Sequence, residues 1–340
     1  MKHSTFAAPL VLALAFILLA CRVEEPKAPR TYDKVAERHL AAPLAPVEFL
    51  FNGEWRTVAP NGLERRQVWT PGPGGFSLMS VTSSSSSKDG LSGSFSAVYH
   101  HPQRRELVFL GPGRALLQTG TVTPGMDRSL RLDMTLFYGE EKIAWSPAPT
   151  RRISSVWSIE SDDRFFDYWI EDQGRPVPRE LTNWEYARHD EVMPLPASAG
   201  AEPERVDVLK PLLPFLAADW ETDTARTTFS WAPYTEAVLV RTVDRQTERV
   251  ASATILYTHP HSGAIHALAL HASGAVDEGH ATAADGALSI RADRADGEGT
   301  VRIERRFELS DSKTLRTRTW SLDRNGRALL DDVTHRARAR

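Results

Sequence analysis

The chain has 340 residues, 41% of them hydrophobic, with nine tryptophans and a formal net charge of −3. So nearly neutral a chain lacks the basic footprint of a nucleic-acid binder, and nucleic acid is excluded as an expected partner. Its one cysteine, Cys21, excludes an internal disulfide and a thiolate metal site.

The chain starts with Lys2 and His3, then runs apolar from Phe6 to Ala20, broken once by Pro9. That run has the length of a signal-peptide core and is too short to span a bilayer comfortably. It ends in Leu18-Leu19-Ala20-Cys21, which resembles the lipobox of bacterial lipoproteins, departing from it at Leu19, where a small residue is usual. The resemblance implies removal of residues 1–20 as a signal peptide, a diacylglycerol thioether on Cys21 and acylation, such as palmitate, of the new N-terminus. Each buried methylene contributes about 0.8 kcal/mol, so several chains anchor far more firmly than one. Arg22 stands where an aspartate would signal inner-membrane retention. The expected location is therefore the outer membrane, facing the periplasm, with the lipid bilayer as a partner. Residues 21–45 are polar and proline-rich, and read as a tether.

Beyond the tether the chain repeats itself. Tyr99-His100-His101-Pro102 recurs as Tyr257-Thr258-His259-Pro260, 158 residues further on, and a strand-like run follows each. Other pairs keep the same order. Trp55 matches Trp220, Trp69 matches Trp231, Leu130 and Leu132 match Leu288 and Ile290, and Arg152, Ile153 and Trp157 match Arg302, Ile303 and Phe307. Two homologous domains are expected over 46–190 and 210–340, joined by a linker at 191–209 that contains Pro194-Leu195-Pro196-Ala197-Ser198-Ala199-Gly200.

Within each copy the pattern is strand. Leu130-Arg131-Leu132-Asp133-Met134 and Val301-Arg302-Ile303-Glu304 alternate with period two, and Asp89-Gly90, Asp285-Gly286, Asp296-Gly297 and Asn325-Gly326 punctuate the runs as hairpin turns do. Helix is limited to short possibilities at Lys34–Leu40 and Leu209–Ala218. So many hairpins must manage their edges, and closing into a barrel does so. The order of Trp near the start, Trp-x-Pro, Tyr-x-His-Pro and a late hairpin aspartate resembles small lipocalin-like (calycin-type) barrels of unknown function. The fold class is therefore all-β, with two homologous lipocalin-like antiparallel barrels in tandem.

Candidate site residues follow from this frame. His259, His261, His266, His271 and His280 crowd the second copy, but the first of them belongs to the repeated Tyr-x-His-Pro turn. His266 shares a strand face with Leu268 and Leu270, and its counterpart is Val108. It is a ligand-binding candidate if it faces the lumen; its alternatives are a hydrogen-bonded core position or the outer face. Arg152 and Arg302 sit beside inward isoleucines. If they too turn inward they would grip an anionic ligand or stack on the capping Trp55 and Trp220. Trp157 and Trp169 belong to an aromatic-rich first copy and either line an apolar pocket or form plain core. Gly-x-Ser-x-Gly, His-Glu-x-x-His and phosphate-loop motifs are all missing from the sequence. The expected function is that of a non-catalytic lipoprotein binding an apolar or amphipathic small molecule, or docking an envelope protein, with no cofactor and no metal. The alternatives are an isomerase or hydrolase with His266 as acid or base, and haem or metal binding through the second-copy histidines.

Overall fold

The computed structural model describes residues 40–338, apart from 52, 59–61, 87–89, 114–115, 140–149, 178–182, 191–206, 285 and 324–325. The signal peptide, Cys21, most of the tether, the linker at 191–206, the helical possibility at Lys34–His39, and Asp89, Asp285 and Asn325 of the turn dipeptides lie outside the described residues.

Period-two sequences here do become strands. The first copy comprises β1 (Glu54–Val58), β2 (Glu64–Pro71), β3 (Ser77–Ser86), β4 (Gly90–His101), β5 (Glu106–Gly113), β6 (Leu116–Pro124), β7 (Ser129–Tyr138), β8 (Thr150–Ser161), β9 (Arg164–Asp172), β10 (Arg175–Pro176) and β11 (Trp184–His189). Neighbours in sequence pair antiparallel as far as β9, which pairs with β11, and β11 pairs with β1. The ring is closed and ten-stranded, with the short β10 on the end of β9.

The second copy comprises β12 (Asp219–Glu221), β13 (Ala225–Trp231), β14 (Ala237–Asp244), β15 (Val250–Thr258), β16 (Ile265–His271), β17 (Val276–Ala284), β18 (Ala287–Ala295), β19 (Thr300–Asp311), β20 (Thr314–Asp323) and β21 (Gly326–Arg338). It is a ten-stranded ring closed by pairing of β12 with β21. The chain is thus an all-β tandem of closed barrels. Closure leaves neither ring with a free edge.

A 3-10 helical segment plugs one end of each barrel. Ala42–Leu50 buries Leu44, Val47 and Leu50 in the first core, and Asp207–Ala217 buries Leu209, Leu212 and Phe215 in the second. Pro46 in one, and Pro211 and Pro214 in the other, remove N–H groups that a regular α-helix would need. The repeated tryptophans fasten these plugs. Trp55 Nε1 donates to the Leu50 carbonyl at 3.0 Å, and Trp220 Nε1 to that of Phe215 at 2.9 Å.

Two glycines mark the same close approach in both copies. Gly120 of β6 and Gly279 of β17 stand opposite Met134 and Ala292. A β-carbon at either would lie 2.1 Å from a carbonyl oxygen, that of Asp133 or Arg291. Gly120→Ala and Gly279→Ala should therefore each destabilise by about 1–3 kcal/mol, since the obstacle is backbone. Thermal denaturation checks this, and an unchanged midpoint in both variants would refute the close approach.

The barrels meet along the same four strands of each copy. Met79, Phe95, Ala97, Tyr99, Val108, Leu110 and Leu117, on the outer face of β3–β6, share one apolar cluster with Ala237, Ala253, Ile255, Leu268, Leu270 and Val276 of β14–β17. Gly74, in the left-handed region at φ 59°, lets the β2–β3 turn lie directly against Ala272 of the second barrel. Strands at this seam are buried on both faces, one against the lumen and one against the other barrel.

Candidate functional site

The two copies differ in polarity at the seam. Residues directly opposite in an antiparallel pair share a face. One outer-face row in the first barrel is Tyr99, Val108 and Thr121; its counterpart in the second is Tyr257, His266 and His280. The adjacent row is Ala97, Leu110 and Thr119, against Ile255, Leu268 and Glu278. A valine and two threonines are thus replaced by two histidines and a glutamate.

These rows enclose a cleft of about 240 Å³ between the barrels. Val108, Leu110 and Leu268 give it apolar groups; Tyr99, Arg104, Tyr257, His266 and Glu278 supply polar ones. Glu278 organises the polar groups. Tyr99 donates to its Oε1 at 2.6 Å, and the Arg104 guanidinium grips both oxygens at 2.8 and 3.1 Å. Such a bidentate, charge-assisted pair holds its geometry well. Burial and then the Glu278 charge push the Tyr99 phenol well above its ordinary range, and the same causes push Tyr257 up to about 12. Both phenols stay protonated as donors.

His266 lies 4.3 Å from His280, 5.1 Å from His259 and 5.6 Å from Tyr257, measured between ring centroids. Burial, then the charges of His280 and His259, push its imidazole down to about 4. It is neutral at physiological pH, with one donor and one acceptor nitrogen. No group of three or more His, Cys, Asp or Glu among the described residues is placed to hold a metal ion.

The repeated motif has a structural part to play beside this cleft. In the first Tyr-x-His-Pro, His101 Nδ1 accepts the Arg104 N–H at 3.1 Å; in the second, His259 Nδ1 accepts the His261 N–H at 3.3 Å. His259 and His261 sit in the turn after β15, where Phe137 of the first barrel packs on both rings.

His266 shares its face with Leu268 and Leu270 as the alternation implies, but that face is the seam and not the lumen. Ile265 and Ala267 take the lumen positions on β16. Arg152 and Arg302 turn outward and are exposed, Arg302 facing Asp293 at 3.4 Å. Their neighbours Ile153 and Ile303 point in, so alternation sends the arginines out. Arg151, not Arg152, takes the inward position opposite Leu136, hydrogen-bonded to Asp172 at 2.7 Å and 5.3 Å above the Trp169 ring. Trp169 is half-buried against Leu136, Tyr138 and Ile153 at the unplugged end of the first barrel. Trp157 is core, 6% exposed and 6.3 Å from Trp69. Tyr99, Arg104, Tyr257 and Glu278 were not singled out as site residues from the sequence. Aligning β17 on β6, which sets Glu278 on Thr119, is the signal that finds the last of them.

No family model matches the chain, and no curated protein matches it. Solved structures that match include a protein of unknown function from the DUF3598 family of Nostoc punctiforme. It is 11% identical, with 88% of this chain and 100% of that chain covered, at a TM-score of 0.19. A likeness at that score carries no weight for fold or function, and the barrel assignment rests on the strand pairing alone.

Proposed function

We propose that this chain is a non-catalytic binding protein, held by lipid on Cys21 at the periplasmic face of the outer membrane, that takes a small amphipathic molecule in the cleft between its barrels. The observation that carries this is the mixed lining of the cleft, with Val108, Leu110 and Leu268 beside the polar array of Tyr99, Arg104, Glu278, Tyr257 and His266. Its volume of about 240 Å³ sits just below the usual range for ligand pockets of ~300–1,000 Å³, so the ligand is small. Binding fits better than catalysis because an effective acid or base has a pKa near the working pH, and His266 is pushed down to about 4.

Native mass spectrometry of the mature protein purified from a bacterial periplasm tests this. The expected result is a reproducible extra mass, absent from His266→Val, which installs the first copy's own residue. A clean mass for the wild type would overturn small-molecule binding and leave docking of an envelope protein. An added mass equal to haem or a metal ion would support the histidine alternative instead.

A further inference from the structure

The second barrel carries a charged cluster inside its unplugged end. Asp277 of β17, Arg294 of β18, Arg305 of β19 and His271 of β16 occupy lumen-facing positions: Asp277 pairs with Ala269 and Arg294, and Arg305 with Ile290, which shares its lumen face with Ala292 two residues on. Asp277 is 3% exposed in its side chain and fully engaged. Arg294 donates to both its oxygens at 2.7 and 2.9 Å, and His271 Nε2 lies 2.9 Å from Oδ2. Burial works against its ionisation, yet the hydrogen bonds from Arg294 and His271 hold its carboxyl well below the usual range.

Arg305 is left over. Its side chain is 16% exposed, and its Nη2 stands 3.9 Å from Asp277 Oδ2, outside hydrogen-bond reach. No hydrogen bond to its guanidinium is formed among the described residues. Asp331, on the lumen side of β21 opposite Thr319, is exposed and contributes its field without an ion-pair contact. Five N–H donors in a partly dry lumen with no acceptor is a costly arrangement, because desolvation of a charge must be repaid by hydrogen bonds.

Packing does not demand it. At the matching register positions the first barrel has Gly113 for His271, Gln118 for Asp277, Leu136 for Arg294 and Ser155 for Arg305, and it closes just as well. Four positions converging on one lumen have changed together in one copy only. An arginine whose neighbour already saturates the one carboxylate close to it among the described residues is preorganised to take an oxyanion from outside, since its planar fork matches a carboxylate or phosphate.

We propose that the open end of the second barrel binds the carboxylate or phosphate group of a small anionic molecule, with Arg305 as the direct ligand and Arg294, fixed by Asp277, beside it. Leu288 and Phe307, one step further toward the plug on β18 and β19, continue the wall below, so an apolar remainder of the molecule would lie toward the plugged half. This site is separate from the seam cleft and does not depend on it.

Isothermal titration calorimetry of the full mature protein tests the proposal, with acetate, octanoate and inorganic phosphate as probes. At least one should bind at millimolar concentration or below. Arg305→Ser, the first barrel's own residue, should weaken it about tenfold or more, and Arg305→Lys by less, because the charge remains but the fork is lost. His266→Val should leave this binding unchanged, which separates failure here from failure of the seam reading. Preference for octanoate over acetate would identify a fatty carboxylate, and preference for phosphate a phosphoryl group. Absence of binding by all three probes, or equal affinity in wild type and folded Arg305 variants, would overturn the proposal.

Discussion

Trp55→Ala and Trp220→Ala should each lower the unfolding free energy by about 3–5 kcal/mol, the usual cost of emptying a buried tryptophan site. Both side chains are essentially inaccessible, at 0% and 1% exposure. Trp55 packs edge-on against Phe49 at 6.0 Å and Phe165 at 4.8 Å, and the Arg188 guanidinium covers its ring at 4.8 Å. Its indole N–H is also the bond that fastens the plug to the barrel. Alanine therefore removes core volume and frees the carbonyl that ends the plug. Phenylalanine keeps most of the volume and loses only the donor, so Trp55→Phe should cost about 1–3 kcal/mol. Urea denaturation followed by circular dichroism separates these cases. Losses below about 1 kcal/mol for both alanine variants would mean that the plugs are not part of the cooperative cores.

That pair of tryptophans also shows what a sequence of this type makes legible. Internal repetition aligned Trp55 with Trp220, Leu130 with Leu288 and Trp157 with Phe307, and the structure sets each pair at matching places in its own ring. Repetition and hairpin punctuation depend only on local chemistry, so they survive in one dimension. Facing does not. On β15, Ala253, Thr254, Ile255 and Leu256 are all buried, and β5 is buried continuously from Leu107 to Pro112. Such strands lose the alternation that tells inside from outside, because a second barrel covers the face that would otherwise be wet. His266 therefore looked the same whether it faced lumen or seam. Arg152 and Arg302 were decidable, since their isoleucine neighbours had already claimed the inward face. Glu278 and Arg305 carry no local signature at all. Their significance lies in the register partners around them and in what the other copy places there.

A second large effect should come from Asp167, inside the first barrel, as pH is varied. Its register partner is Trp157, and its Oδ1 is sealed from solvent without a hydrogen-bond partner. Burial pushes its carboxyl up to about 6, against the pull of the Arg65 charge and a Trp157 hydrogen bond. Arg65 itself lies 4.0 Å over the Trp184 ring. The second barrel avoids this cost with Thr317 and His335 at the equivalent places, 3.2 Å apart. A folded-state value above the unfolded one of 3.8 means that the native protein holds the proton more tightly. The associated stability is fully present below about pH 4 and is lost as pH rises to about 6, amounting to ~3 kcal/mol at most. His266 titrates in the opposite sense over an overlapping window. Its value is pushed down to about 4, so its contribution is present above its unfolded value of 6.5 and fades as pH falls. The two partly cancel in the wild type, and only a difference curve resolves them. Asp167→Asn cannot ionise. Relative to wild type it should gain stability progressively from pH 4 to pH 7, by about 2–3 kcal/mol, and stay level above that. Urea midpoints at unit pH steps measure this directly. Parallel curves for the two proteins would show that Asp167 ionises as freely in the barrel as in water, and the dry lumen around Trp157 would have to be given up.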